Sequence, residues 1–132
     1  MYVDRDLLVS DEQALTVSAP STYSIDLGAA KAIWRGRPAY MVIIIDTAVA
    51  TMTSINFLVV TDTVATLASP TTQIETGAIA AASLTANRAP IIIPLASAIG
   101  TEERYLGMYY TVVTTGTCTV TAFVALEPFE NY

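Results

Sequence analysis

The chain has 132 residues, of which 53% are hydrophobic and 14% are charged, and its formal net charge is −6. A chain of this length fits one domain that buries about two thirds of its unfolded surface and folds without disulfides or metals. The charged fraction is well below the roughly 25% of an average soluble protein, and the mean hydropathy is +0.53. So much apolar material in a small domain predicts a surface that a partner covers, because large exposed apolar patches usually mark contacts.

Several classes of function are excluded by the residue types alone. The six basic residues form no tract suited to a phosphate backbone, so we expect no direct nucleic-acid binding. One cysteine, Cys118, and no histidine exclude disulfide frameworks, Cys/His zinc sites, Ser-His-Asp triads and Cys-His dyads within one chain. We expect no cofactor, and Cys118 fits a small buried hydrophobe.

Membrane and secretion signals are missing from the printed sequence. The start, MYVDRDLLVSDEQ, has acidic residues where a signal peptide carries positive charge. The longest apolar run, AYMVIII at 39–45, is far shorter than the roughly 20 residues that span a bilayer. We therefore expect no membrane contact, and a protein made in a cytoplasm or kept in a particle assembled there.

The first 15 residues carry the only helical signal, since Ser10 and Gln13 have the spacing of a capping box. Against a helix, the stretch DRDLL puts Leu7 and Leu8 beside charges without periodicity. We interpret residues 1–15 as an extended arm that orders against a partner, followed by one domain over 16–132.

The rest of the chain is rich in Thr, Val and Ile, with turn residues between short apolar runs, which is typical of β-strands. Predicted strands, in chain order, cover 21–28, 38–46, 53–62, 72–76, 78–84, 89–95, 104–114 and 116–127. In the first, Tyr23 shares a face with Ile25 and Leu27. The 38–46 strand is apolar on both faces and should be central or covered by a neighbour, whereas prolines bracket an edge strand at 89–95.

Three of these predicted strands have further features. The alanine-rich 78–84 segment is equally compatible with a helix by propensity. The 104–114 and 116–127 strands are predicted to pair as an antiparallel hairpin, with Gly116 supplying a positive φ in the turn. About eight strands at spacings near 8 to 12 residues predict an all-β, two-sheet antiparallel sandwich, most simply a jelly roll, with an extended N-terminal arm.

No catalytic constellation is visible. Glu102 and Glu103 are neighbours in sequence and, at a strand entrance, would project to opposite sides, which favours a solvated rim beside Arg104 over an acid/base pair. The acidic residues near the start lack the ligand spacing and the glycine of a calcium loop, and there is no phosphate-binding loop or nucleophile elbow. We predict that the protein is not an enzyme and holds no metal, with a small hydrolase using the two glutamates as the third alternative.

Tyrosines and arginines instead point to adhesion. Tyr105 and Tyr109 share a strand face with Val113, and Arg35 and Arg37 flank a glycine in WRGRP, a loop that either meets acidic groups of a neighbour or is a solvated turn. The predicted protein-interface residues are Tyr2, Leu7, Leu8, Arg35, Arg37, Tyr40, Glu102, Glu103, Arg104, Tyr105 and Tyr109.

The order of segments resembles a known family, the jelly-roll capsid cement or head decoration proteins of tailed bacteriophages, of the type first described in a Bordetella podophage. The resemblance is carried by LLVSDEQALT near the start, STYSIDLGAA at 21–30, GRPAYMVIIID at 36–46, SPTTQIETGAIAAASLTA at 69–86 and GTEERYLGMYYTV from Gly100. It implies a virion protein that binds the outside of an icosahedral head, bridges major capsid proteins, helps the shell resist DNA pressure and self-associates as a dimer or trimer. The alternative is a carbohydrate-binding jelly-roll module on a virion surface or tail.

Overall fold

A computed structural model describes residues 5–28, 38–95 and 103–126. Within these ranges the chain forms nine strands, with single 3₁₀ turns at Arg5–Leu7 and Ala81–Ser83 and no α-helix. The strands are β1 Leu8–Leu15, β2 Ala19–Pro20, β3 Ile25–Asp26, β4 Tyr40–Ala50, β5 Ser54–Asp62, β6 Thr71–Ala80, β7 Ile91–Pro94, β8 Tyr105–Val113 and β9 Thr117–Ala125.

The strands form two antiparallel sheets that pack as a sandwich. A four-stranded sheet has the order β1-β9-β4-β7, and a five-stranded sheet has the order β2-β8-β5-β6, with β3 also pairing to β8. Because β2 and β3 share one place beside β8, the sandwich has eight strand positions, and the chain alternates between sheets as a jelly roll does. The predicted fold class is confirmed.

The core follows from the alternation of each strand. Met41, Ile43 and Ile45 of β4 point between the sheets, where Phe57 and Tyr110 from the other sheet meet edge to face with ring centroids 5.9 Å apart. Every one of these side chains is buried. Apolar residues at every second position therefore supply one continuous hydrophobic core.

A second apolar cluster lies on the outer face of the four-stranded sheet. Val42 and Phe123 are fully buried there, and the partly buried side chains of Leu8, Ile44 and Ile92 pack against them. The prediction that the 38–46 strand is central is confirmed, since β4 pairs with both β7 and β9 and is apolar on both faces. Part of the high apolar content is therefore buried on this outer face by residues of the same chain.

The predicted hairpin is wrong. β8 lies in the five-stranded sheet and β9 in the four-stranded sheet, so the turn between them crosses from one sheet to the other. The positive φ in this turn, 66°, belongs to Thr114. Gly116 is needed for a different reason, because a β carbon there would lie 2.3 Å from the carbonyl oxygen of Ala50.

Three other predicted strands differ in extent. The segments 72–76 and 78–84 form one strand, β6, in which Gly77 has φ +77° between two register positions, before the 3₁₀ turn that follows Ala80. The 21–28 segment pairs with β8 only through Ile25 and Asp26. At Tyr23 the chain instead turns toward the other sheet, where its N–H donates to Val9 O at 2.9 Å.

The predicted N-terminal arm is described from residue 5 onward, and its second half is a strand. Residues 8–15 form β1, which pairs with β9 and has register shifts on both sides of Ser10. Ser10 does bond Gln13, its Oγ donating to Oε1 at 2.7 Å, but within a bulged strand whose Glu12 has φ 45°. The sandwich therefore begins before the boundary that we placed at residue 15.

Candidate interaction surfaces

One open side of the sandwich, between β1 and β3, holds a cleft of about 420 Å³. We call it the β1–β3 cleft, and its lining residues are Arg5, Asp6, Leu8, Asp11, Tyr23, Ser24 and Asp26. The cleft forms because β1 is an edge strand of one sheet while the 23–26 segment borders the other. The cleft is lined by three carboxylates, one guanidinium and a tyrosine, Tyr23, that is 50% exposed.

An ion pair joins this cleft to the start of β8. Arg104 donates from Nε to Asp26 Oδ1 at 2.6 Å and from Nη2 to Oδ2 at 2.8 Å, in the bidentate geometry that suits guanidinium and carboxylate. The same guanidinium lies 5.3 Å from the ring centroid of Tyr105. The Arg104 bond, and then the bond from Gly28 N–H, lower the pKa of Asp26 to about 2.

Behind the cleft, buried polar bonds fix β1 to the other sheet. Ser10 Oγ and Tyr110 Oη lie 2.7 Å apart, and both residues are fully buried. Burial is the main reason that the pKa of Tyr110 is raised above its usual value. Gln13 extends the connection, because its Nε2 donates to Pro20 O at 2.9 Å and its Oε1 accepts from Thr22 N–H at 2.9 Å. The cleft wall is therefore held by several bonds.

The 62–70 loop is attached to the same region. The Asp62 carboxylate accepts the backbone N–H groups of Thr63 at 2.6 Å, Val64 at 3.3 Å and Ser69 at 2.9 Å. Burial acts to raise the pKa of Asp62, but these backbone bonds together outweigh it and the pKa is lowered. Ser24 Oγ donates to Ala65 O at 2.9 Å, so the loop is tied to the cleft segment while Val64 stays 45% exposed.

Glu103 is engaged within the chain. Its Oε1 accepts a bond from Thr61 Oγ1 at 2.7 Å, and Thr61 in turn accepts from Gln73 Nε2 at 2.9 Å. Across the described ranges, no group of three or more His, Cys, Asp or Glu side chains is placed to hold a metal ion. In the same residues no helix has the length and apolar character needed to cross a bilayer.

The structure brings some of the predicted interface residues together. Leu8 lines the cleft, and Arg104 and Tyr105 join it through Asp26. The N-terminal segment and the segment around residue 104, predicted separately, therefore meet on one side. Cys118 is buried, as predicted, and this burial raises the pKa of its thiol to about 11.

Other predicted interface residues lie elsewhere. Tyr109 is on the outer face of the five-stranded sheet, opposite Leu58, and Tyr40 is in β4, opposite Ala125 and Pro94. Leu7 packs against the main core, so its contact is internal. Tyr2, Arg35, Arg37 and Glu102 lie outside the described residues.

Tyr23 and Asp26 are cleft residues that the sequence patterns did not reveal. Alternation placed Tyr23 inward with Ile25 and Leu27, but only the latter two are buried. Between β2 and β3 the chain leaves β8 and bonds Val9 of the other sheet, whereas period-two reasoning assumes one continuous strand. The sequence does carry a signal that the strand is interrupted here, since Ser21, Thr22 and Ser24 are residues that often bond the backbone in turns.

The protein is a jelly-roll sandwich with a charged cleft and a half-exposed tyrosine on one side. This combination suits contact with another molecule. The comparison with family models then identifies the family, because the Bbp16 family model matches residues 9–126. The chain belongs to the Bbp16 family, whose name indicates a Bordetella phage protein. Among curated proteins, no match to this chain is found.

Proposed function

We propose that this protein is a capsid cement protein, which binds the outside of an icosahedral phage head, bridges major capsid proteins and stabilises the shell against DNA pressure. Membership of the Bbp16 family across residues 9–126 carries the proposal, because the family name suggests a Bordetella phage protein and is compatible with a structural role. The proposed place of action is the outer surface of the virion.

The β1–β3 side supports this role as the surface for the capsid. Tyrosine and arginine are the residue types most enriched in the energetic centres of protein interfaces, and Tyr23, Arg5, Arg104 and Tyr105 lie at or beside the cleft. A standard interface buries about 1,200 to 2,000 Å², to which one tyrosine contributes about 150 to 250 Å² when fully covered.

Contact with several capsid subunits at once reduces the affinity that each single contact must supply. A cement protein that touches two or more capsid subunits gains effective concentration for the second contact, so its overall binding exceeds that of either contact alone by about 10² to 10⁴. The net charge of −6 keeps the free protein soluble before assembly. A surface with both charge signs and one half-exposed tyrosine is therefore compatible with the proposed function.

The direct test is cryo-electron microscopy of heads from cells that express the associated major capsid protein with and without this chain. We expect extra density on the outer surface, at junctions between capsomers, only when the chain is present. Well-formed heads without this density, in the presence of abundant folded protein, would reject the cement function.

Single substitutions then locate the surface. Tyr23→Ala and Tyr105→Ala should lower occupancy on heads, measured by co-sedimentation, whereas Val17→Ala, at a site that is 54% exposed and outside the cleft lining, serves as the control. Tyr109→Ala tests whether the capsid is bound by the outer face of the five-stranded sheet instead of the β1–β3 side. Loss of binding with Tyr109→Ala alone would move the capsid contact to that outer face.

A carbohydrate-binding module on a virion surface or tail is the second candidate. The observation that favours it is Tyr23, an exposed aromatic ring beside a cleft with carboxylate acceptors, which is a suitable arrangement for stacking on a sugar and bonding its hydroxyl groups. A glycan array distinguishes the two functions, since a reproducible ligand that Tyr23→Ala abolishes would support the carbohydrate function.

A further inference from the structure

The 62–70 loop is bonded to the chain segment that places Tyr23 in the β1–β3 cleft. Ser24 Oγ donates to Ala65 O at 2.9 Å, so a hydrogen bond joins the loop directly to a residue that lines the cleft. The residues next to this bond along the chain, Tyr23 and Val64, are 50% and 45% exposed. Two exposed hydrophobic side chains are therefore carried by two segments that hold one another.

Residues 21–24 lie between β2 and β3 and form no strand of their own. The beginning of this segment is anchored to β8, because Ser21 N–H donates to Met108 O at 2.8 Å, and Ser21 Oγ donates to Tyr23 O at 2.8 Å. At the other end of the segment, the side-chain bond of Ser24 goes to the loop. The position of Tyr23 therefore depends in part on the loop.

One carboxylate closes the loop. Asp62 is only 3% exposed, and its oxygens accept three backbone N–H groups from the two ends of the loop, those of Thr63, Val64 and Ser69. Between Thr63 and Ser69, only Leu67 is buried. The closed shape of the loop thus depends on one carboxylate and one apolar side chain, so loss of the carboxylate should open it.

We propose that Asp62 is a positioning residue for the partner-binding surface: its carboxylate holds the 62–70 loop closed, and the closed loop fixes Tyr23 and Val64 in the arrangement that the partner meets. A surface that is ordered before contact binds more tightly, because binding does not have to immobilise it. This inference rests on the proposed function, since the partner is the capsid protein of the head. It adds a buried residue that acts on binding through the loop.

Protonation of Asp62 removes the charge that the loop N–H groups favour. Its pKa is lowered because these bonds outweigh the opposing effect of burial. The charged or titratable side chains on the neighbouring strands are Glu103, Arg104 and Tyr105, at or just before the start of β8, and Asp26 of β3, which pairs with Arg104. The loop is therefore closed above the ordinary carboxyl pKa and opens as the pH falls through the lower, folded pKa.

Binding to heads at neutral pH gives the first test. Asp62→Asn imitates the uncharged acid and should raise the dissociation constant for heads of the associated major capsid protein about tenfold, because ordering of the surface then falls on the binding step. Asp46→Asn is the matched control, since Asp46 is an exposed aspartate of β4 that bonds Thr121, and it should leave the constant unchanged. No effect of Asp62→Asn, or an equal loss with Asp46→Asn, would overturn the inference.

Ser24→Ala tests the connection between loop and cleft. It removes the bond to Ala65 but leaves the bonds of Asp62 in place, and it should weaken head binding by a similar factor. The double variant Asp62→Asn/Ser24→Ala should bind about as weakly as either single variant, because both changes break one connection. Full additivity would overturn the inference. Unchanged binding by Ser24→Ala would do the same, even if Asp62→Asn failed to fold.

Purified protein gives a readout that needs no heads. In an NMR titration to acid, the amide signals of Thr63 and Ser69 and the ring signals of Tyr23 should change at one midpoint, below the ordinary carboxyl pKa of 3.8. In Ser24→Ala the amides should keep this midpoint while Tyr23 no longer follows, and Glu103→Gln should alter neither. Ring signals of Tyr23 that do not follow the loop in the unaltered chain would overturn this inference. A chain that shows the coupling but never binds heads would instead reject the proposed function.

Discussion

Gly107 lies in the middle of β8, on the outer face of the five-stranded sheet, and the chain leaves no room there for a side chain. A β carbon at this position would be 2.5 Å from Leu67 Cδ1 and 2.9 Å from Ser21 Oγ. Leu67 is fully buried and has φ 54°, a conformation that non-glycine residues adopt only when their surroundings hold them. The glycine therefore lets the 62–70 loop lie flat on the sheet.

Gly107→Ala should destabilise the fold by about 1–3 kcal/mol, the usual range for overpacking a buried site. Urea unfolding followed by fluorescence measures this change. In a Leu67→Ala background the same substitution should cost less, because the nearest clashing atom is gone. An equal cost in both backgrounds would show that the loop does not press on Gly107.

Ser10 and Tyr110 are the buried polar residues that connect the two sheets. Ser10→Ala should cost about 1–3 kcal/mol, because it leaves the buried Tyr110 hydroxyl without its partner. Tyr110→Phe should cost about 0.5–1.5 kcal/mol, since Ser10 keeps its bond to Gln13. Thermal unfolding of both variants checks the order, and a greater loss with Tyr110→Phe would contradict it.

Among the elements, the 62–70 loop has a built-in sensitivity to acid. The folded pKa of Asp62 lies below 3.8, so the unfolded chain binds this proton at a higher pH than the folded chain does. Its stabilising contribution is therefore present above pH about 4 and is lost as the pH falls through the lower, folded pKa.

Asp62→Asn should reduce stability at neutral pH by about 1–3 kcal/mol, because an amide cannot accept from all three backbone N–H groups. It should also flatten the fall in stability below pH about 4. Chemical denaturation across pH 2.5 to 7, a window of about four units around the carboxylate pKa, gives both results. Asp11→Asn, at an exposed aspartate of β1, is the control, and an equal flattening there would remove Asp62 as the cause.

The positions of strands were predictable because the alternation of apolar and polar residues lies within each single strand. The interior strand β4 and the proline-bracketed edge strand β7 follow directly from their own residues. The β8–β9 relation does not, because Leu106 to Val112 and Cys118 to Val124 show the same inward alternation whether they share a sheet or face one another. Long-range packing selects between those arrangements.

The cleft was predictable only in part, for the same reason. Arg104 and Tyr105 drew attention as an adhesive segment, but their partner Asp26 is far away in the sequence and no local pattern connects them. Leu8 lies in a segment that we interpreted as an extended arm ordering against a partner, whereas it belongs to an edge strand. Contacts across the gap between sheets depend on topology, which a single sequence does not display.

At the scale of the whole molecule, truncation separates the cleft from the fold. Removing residues 1–6 deletes Arg5 and Asp6 from the cleft but leaves β1 in place, so head binding should fall while the melting temperature changes little. Removing residues 1–15 also deletes Val9 and Leu15, each worth about 1.5–3 kcal/mol of burial, and exposes the edge of β9. This longer deletion should give aggregated protein, measured by light scattering, and a folded, soluble product would contradict the assignment of β1.

The position of β9 sets the order in which the molecule can form. The last strand of the described ranges, β9, lies between β1 and β4, so the first described strand waits for its neighbour until β9 has been made. Pairings such as Leu8 with Phe123 span most of the sequence, and topologies of this type fold in about milliseconds to seconds rather than microseconds. A product of interrupted translation that lacks β9 leaves β1 and the facing edge of β4 without a partner strand. We expect such a product to be degraded or to aggregate.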